Sequence, residues 1–300
     1  MRKACLMVWI ILNWNATGIA ADTLAIKAIR ADWDTMLHAP SDRIRIKKTE
    51  EVAHRLSELL KQGLRPGQVL KPGAKFSLLA TRDSSVQIIS WSVPLLTGSF
   101  YYGGLILTPK KREFQTFVLK DSKETLNRPE ALQTTTAQWF GAVYYQLIEY
   151  RYKKHNYIIL LGWDGGKYPL ARKLIEVLTF TSAGEPLLGA QIFSDHRNFR
   201  KIFEYQKDAY FPLRYEKQKV YQRVWYSRKA IPRQYFLIVF SRLGREPGVA
   251  APVPILNITD AYQWRNGKLY LIKDIDARNP AVKDEPATRP QPAQGLSPKE

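Results

Sequence analysis

The chain has 300 residues, with 46 Lys and Arg against 27 Asp and Glu, and a formal net charge of +19 at pH 7. Its single cysteine, Cys5, lies in the leader described below, so the mature chain is left without a disulfide, a thiol nucleophile or a cysteine-ligated metal. The charge excludes less: it favours solubility and draws the protein to anionic polymers of any kind.

Arg2 and Lys3, the apolar run Cys5–Trp14 and the small residues of Gly18-Ile19-Ala20-Ala21 follow the layout of a secretory signal peptide, with cleavage expected after Ala20. The run falls short of the roughly 20 apolar residues that span a bilayer, and no later stretch supplies them. Cys5 precedes the run, which argues against a lipid anchor. Residues 1–20 therefore read as a leader, and the protein as exported to the periplasm or cell surface, where nucleic acid is not an expected partner.

Residues 21–65 read as helical, split by Pro40. Thr49 is the expected N-cap of the second half, Val52, Leu56, Leu59 and Leu60 recur at helical spacing, and Gly63 is the expected stop. The stripe suits an N-terminal helical cap that packs on the main domain.

From Lys75 the texture changes to short runs of Val, Ile, Leu, Tyr and Phe between Gly, Pro, Asn and Asp, which predicts an antiparallel β-rich domain over 75–276. Asn266-Gly267 is the strongest hairpin signal, because both residues accept positive φ. Lys153-Lys154-His155-Asn156 and Ser182-Ala183-Gly184-Glu185 are the next. Strands are expected at Leu187–Phe193 and Arg200–Tyr205, and separate strands at Leu213–Lys217 and Val220–Tyr226. A helix is possible at Pro129–Trp139, although Thr134-Thr135-Thr136 weakens it. Successive hairpins without crossover helices give a mainly β (α+β) fold, an antiparallel sandwich or partly closed barrel with an N-terminal helical cap. Residues 277–300 are Pro-rich and lack aromatics, as a disordered tail does.

Trp139-Phe140-Gly141-Ala142-Val143-Tyr144-Tyr145, Leu160-Leu161-Gly162-Trp163-Asp164-Gly165 and Arg172-Lys173-Leu174-Ile175-Glu176-Val177-Leu178 together resemble a group of uncharacterised exported proteins of Bacteroidetes. That group shares Gly-Ala-Xaa-Tyr-Tyr, Leu-Gly-Trp-Asp-Gly and Arg-Lys-Xaa-Ile-Asp-Val-Leu patterns. The resemblance covers roughly Phe76 to Tyr215 and implies export and a mostly β fold. It brings no established activity and no catalytic residues. Glu176 stands where the pattern has Asp.

Asp164, Glu176 and Asp195 are the acidic candidates for a glycan hydrolase, which needs two carboxylates flanking the scissile bond. Asp164-Gly165-Gly166 reads more simply as a turn and Asp195-His196-Arg197-Asn198 as a polar loop. The four histidines, His38, His54, His155 and His196, show no metal-ligand spacing, and no cofactor motif is present. The strongest partner signal is the stretch 197–233, where basic residues interleave with aromatics. Arg200, Lys201, Arg214, Lys217, Arg223, Trp225 and Arg228 are its candidate binding residues, for lipopolysaccharide, another anionic envelope polymer or a glycan. On alternating strands the same composition reads as a basic outer surface over an ordinary core. The leading expectation is a non-enzymatic, envelope-associated binding protein; a glycan hydrolase and a structural subunit of an envelope assembly are the alternatives.

Overall fold

The structure is a computed structural model that describes residues 11–70, 76–111, 113–222 and 231–275. The expected tail at 277–300, and Arg223, Trp225 and Arg228, lie outside the described residues.

Helix α1 (Ile11–His38) runs across the expected cleavage point after Ala20, and α2 (Asp42–Lys61) follows the break at Pro40. Among the described residues no helix is long and apolar enough to cross a membrane. The N-cap of α2 is Ser41, whose hydroxyl accepts from Ile44 N, and not Thr49. Thr49 is buried about two turns inside the helix, where its hydroxyl donates back one turn to Arg45 O at 2.7 Å. The cap moved because the helical pattern extends back to the Ser that follows Pro40, the first point at which the backbone can turn. Gly63, at φ +96°, ends the helix as expected.

Three antiparallel sheets follow, none closed into a barrel. Sheet 1 is a meander of β1 (Phe76–Ala80), β2 (Gln87–Pro94), β3 (Phe100–Lys110) and β4 (Glu113–Lys120). Sheet 2 contains β5 (Thr134–Thr135), β6 (Val143–Tyr152), β7 (His155–Asp164), β8 (Leu170–Phe180), β9 (Pro186–Leu188) and β10 (Lys201–Gln206). Sheet 3 is a second meander of β11 (Leu213–Gln222), β12 (Ile231–Gly244), β13 (Val253–Arg265) and β14 (Lys268–Ile272).

Side-chain alternation stacks these elements as four layers. In sheet 1, Ile89, Trp91, Leu105 and Leu107 point to the helices, where they meet Ile29, Met36, Val52 and Leu56. Their neighbours Ile88, Tyr102 and Ile106 point the other way and pack on Leu160, Leu174 and Leu178 of sheet 2. Ile159, Leu161, Ile175 and Val177 then face sheet 3, meeting Ile238, Phe240 and Tyr262. Sheet 2 is thus buried on both faces, which accounts for its near-continuous apolar runs. Each of these fully buried aliphatic side chains contributes about 1.5–3 kcal/mol of transfer free energy. Gly103 lies across from Trp91 in the ladder; a Cβ there would sit 2.3 Å from the indole, so the glycine makes room for the ring.

Three local expectations change. The stretch Pro129–Trp139 is not a helix but two 3₁₀ turns, Pro129–Ala131 and Thr136–Gln138, flanking the two-residue β5. Leu213–Lys217 and Val220–Tyr226 are not joined by a turn, because β11 runs unbroken through Leu213–Gln222 opposite β12. The strand expected at Leu187–Phe193 is only the short β9. The turn at Asn266-Gly267 forms as read, with φ positive at both, whereas the turn expected over Lys153-Lys154-His155-Asn156 closes in two residues, Lys153-Lys154, because His155 already begins β7.

The first and third of these changes have one cause. On one side of β8, Leu170–Ile175 pairs with β10 and Leu178–Phe180 pairs with β9, which leaves Glu176 at the gap between the two. Arg200, the residue before β10, fills that gap. Its Nε donates to both Glu176 oxygens at 2.9 and 3.1 Å, Nη2 to Thr134 Oγ1 and Leu188 O at 2.9 and 3.1 Å, and Nη1 to Pro129 O. Both charged side chains are fully buried. Burial pushes the Glu176 carboxyl up and Arg200 pulls it back toward ionisation. Two carbonyls that a helix over 129–139 would use are engaged elsewhere, Pro129 O by the guanidinium and Glu130 O by Phe199 N.

Arg200→Met should cost about 3–5 kcal/mol in urea unfolding, since it strands a buried carboxylate. Adding Glu176→Gln should recover only part of that loss, because Pro129 O and Leu188 O stay without the guanidinium. Full recovery in the double variant would show that the carbonyl bonds contribute nothing.

Candidate functional site

The residues singled out in the sequence do not converge. Arg200 is inside the core and unavailable to a polyanion, a correction that follows from its pairing with Glu176. Arg214 and Lys217 lie on opposite faces of β11, because they are three residues apart on a period-two strand. Arg214 pairs with Glu216 at 2.7 Å, whereas Lys217 is exposed. Lys201 sits half-buried on β10, in a different sheet.

The three acidic candidates are equally dispersed. Glu176 belongs to the buried clasp. Asp195 accepts from Tyr262 Oη at 2.9 Å and has His196 Nε2 at 3.5 Å, on the sheet 3 side of sheet 2. Asp164 ends β7 and faces sheet 1, in register with Arg172 on β8. Glu176 is four residues along β8 from Arg172, or about 13 Å at the usual strand rise. No pair of the three is placed for hydrolysis of one glycosidic bond.

Asp164 does, however, anchor a dense charge cluster among the described residues. Tyr102 Oη of β3 donates to Asp164 Oδ1 at 2.9 Å and accepts from Gly165 N at 2.8 Å. Gly166 N donates to the same carboxylate oxygen at 3.1 Å, and Arg172 Nη1 reaches Oδ2 at 3.1 Å. Arg172 Nε also binds Glu204 of β10 at 2.7 Å. Lys123 enters from the loop after β4 and places its ammonium 3.6 Å from Asp164 and 3.2 Å from Asp121, over the Tyr102 ring at 4.2 Å. It donates further to Phe100 O at 2.8 Å. Asp121 accepts from Tyr102 N and Lys123 N at 3.0 and 3.2 Å.

Backbone geometry makes room for this cluster. Gly141 has φ +79°, and a Cβ on it would lie 2.5 Å from the Asp121 carboxyl. Any other residue there is strained and displaces the carboxylate. Burial pushes the Asp121 carboxyl up to about 6, with the Lys123 ammonium and two backbone N–H groups opposing. Burial, then Asp164, raises the Tyr102 phenol far above its ordinary value, so it stays a donor.

Asp121, Lys123 and Arg172 of this cluster form the floor of a cleft of about 540 Å³ at one end of sheets 1 and 2. Its walls carry Thr97, Ser99, Phe100, Ser122 and Lys167 among others, and Lys207 lies 5.3 Å over the Phe100 ring. The sequence marked Asp164 but missed Tyr102, Asp121, Lys123 and Arg172. Asp121-Ser122-Lys123 reads as an ordinary polar loop, and only the stacking of two sheets brings it to Asp164. Among the described residues no group of three or more His, Cys, Asp or Glu side chains is placed to hold a metal ion.

Asp121 has a consequence for stability. Its folded-state affinity for a proton is raised, so the native state binds more protons than the unfolded chain between about pH 4 and 6, and this group's contribution falls as pH rises through that window. Relative to Asp121→Asn, the wild-type protein should lose up to about 3 kcal/mol between pH 4 and 7. Urea unfolding of both proteins at several pH values measures this, and a pH-independent difference rejects it.

No family model, no curated protein and no solved structure matches the chain.

Proposed function

We propose that the chain is an exported, non-catalytic binding protein of the cell envelope, and that it holds a small hydroxylated anion, such as a sugar acid, in the cleft between sheets 1 and 2. The observation that carries this reading is the division of labour in the cleft. The floor is a closed charge network whose members satisfy one another, Arg172 included, while Ser, Thr, Phe100, the cation Lys167 and one acid, Glu124, line the walls. Such a site is preorganised: hydroxyls are met by hydroxyls, a sugar face by a ring, and a carboxylate by fixed cations.

Commitment of the carboxylates supports the non-catalytic part. Asp164 is fully buried and engaged by Tyr102, Gly166 and Arg172. Asp121, the acid of the cleft floor whose carboxyl burial raises, shares Lys123 with it, so an ammonium stands where a glycosidase would seat the scissile bond. Export rests on the leader at 1–20 and on the likeness to exported Bacteroidetes proteins.

Calorimetric titration with galacturonate tests the reading. Binding should weaken at least tenfold, about 1.4 kcal/mol, in Lys167→Glu, whose exposed side chain plays no part in the floor. Glucose should bind far less than galacturonate. Equal binding of the two sugars, or no response to sugar acids by the wild-type protein, rejects a cation-lined sugar-acid site. Release of reducing ends from a polyuronate would restore the hydrolase.

A further inference from the structure

A second feature lies elsewhere, along the rim of the core between sheets 2 and 3. Alternation brings five rings from five strands into one continuous ladder there. Tyr157 of β7 meets Trp264 of β13 with centroids 5.4 Å apart, and Trp264 stacks on Tyr150 of β6 at 4.6 Å and an interplanar angle of 7°. Tyr150 meets Tyr215 of β11 edge-on at 6.4 Å, and Tyr215 stacks on Phe236 of β12 at 5.4 Å and 28°.

Four of the five are half-buried against the core, and Phe236 is 56 % exposed. An apolar ring this open, seated on another ring and not isolated, is an unfinished stack. Its place in the ladder gives it a charged companion: Phe236 is the cross-strand partner of Lys217. Lys217 and Lys219 are both exposed and share the face of β11 that carries Tyr215. Along β6 the face that carries Tyr150 continues to Tyr152, whose ring has Lys153 Nζ 5.4 Å above it, and Lys154 follows in the exposed turn.

The acids of β6 and β11 are turned away, and Asp260, which shares the face of Trp264 on β13, is buried and held by Arg242. Glu149 on β6 and Glu216 on β11 have the opposite parity, and each is occupied, Glu149 by Arg82 N at 2.8 Å and Glu216 by Arg214 at 2.7 Å. The rim therefore combines aromatic faces with cations of one sign.

We propose that this ladder, Tyr157–Trp264–Tyr150–Tyr215–Phe236 with Lys217 and Lys219, is a docking surface for an anionic glycan chain. The match is one of shape and charge together. Pyranose rings present C–H faces that pack on aromatic rings, while the regularly spaced carboxylates of a polyuronate meet Lys217, Lys219 and Lys153. Tyr150 and Tyr215 lie on the edge strands β6 and β11, but where a peptide strand could pair, at Tyr215, Gln146 already holds both backbone groups, and the like-charged lysines beside the rings favour a polyanion. The surface is independent of the cleft, so either can fail without the other.

The test is affinity electrophoresis and calorimetry of the protein with polygalacturonate, at about 0.15 M salt so that diffuse attraction is screened beyond roughly 8 Å. The wild-type protein should be retarded by polygalacturonate and not by the neutral glucan amylose. Phe236→Ala removes an exposed ring, and Lys217→Glu with Lys219→Glu removes the cations; each should weaken binding about tenfold or more, with circular dichroism unchanged. Lys61→Glu, an exposed cation on α2 remote from both the ladder and the cleft, should leave polymer binding intact. Wild-type affinity in the folded Phe236→Ala variant would reduce the surface to bulk charge and overturn the proposal. So would retardation that vanishes at 0.15 M salt, equal retardation by amylose, or tighter binding of single-stranded nucleic acid than of the polyuronate.

Discussion

The arrangement of the middle sheet depends on the burial of one ion pair. β8 cannot be paired along its whole length on one side, because β9 and β10 approach it from opposite ends and leave a gap at Glu176. A backbone gap in a doubly covered sheet would leave polar groups in a dry core, which costs more than most single side chains can offset. Arg200 closes the gap from the β10 end, with its guanidinium spread over Glu176, Thr134, Pro129 and Leu188. The planar five-donor fork suits a place where a carboxylate and several carbonyls converge; a lysine ammonium, with three donors on a flexible stem, would leave part of them unmet. The gain is geometric specification more than net stability, since desolvation consumes much of what the pair's attraction supplies.

The same strand carries the second charge cluster. Glu176 and Arg172 share a face of β8, so the clasp fixes the strand that presents Arg172 to Asp164 and Glu204. Lys123 and Asp121 reach the cluster from sheet 1, and Tyr102 bonds it at both its amide and its hydroxyl. Two sheets that otherwise meet mainly through apolar side chains are thereby set in one register, with Ser90 Oγ accepting from Tyr144 N as a further fixed point. The cleft lies at the end of this registered contact, and its rigidity follows from it.

How much of this the sequence discloses depends on the range of the interaction concerned. Local rules fix the break at Pro40, the stop at Gly63 and the turns at Lys153-Lys154 and Asn266-Gly267, and the absence of crossover helices fixes an antiparallel mainly β fold. Each such rule operates within a few residues. Thr49 misled because a hydroxyl bonding back one turn inside a helix looks, in sequence, like one capping its start. Pro129–Trp139 misleads because its first two carbonyls are claimed from about 70 residues on, Pro129 O by Arg200 and Glu130 O by Phe199 N, and no local pattern records those claims. Asp164 was visible as a residue and not as a site, since its partners come from three other segments.

The basic stretch shows the same limit from the side of charge. A count of cations along 197–233 treats them as one surface, but a strand distributes consecutive residues between two faces and successive strands between sheets. Arg214 and Lys217 part on β11, Lys201 goes to sheet 2, and Arg200 turns inward. What alternation scatters in one segment it gathers from others: Tyr150, Tyr157, Tyr215, Phe236 and Trp264 are far apart in the chain, and none has a neighbour in sequence that marks it for the ladder. They meet because each sits at the end of a core-facing row, where the inter-sheet layer runs out and an aromatic edge is the cheapest boundary between packed side chains and water. Lys217 belongs to that boundary as the cross-strand neighbour of its most exposed ring. The net charge of the chain thus becomes directional only where register places a cation beside an aromatic face and turns the nearest carboxylates away.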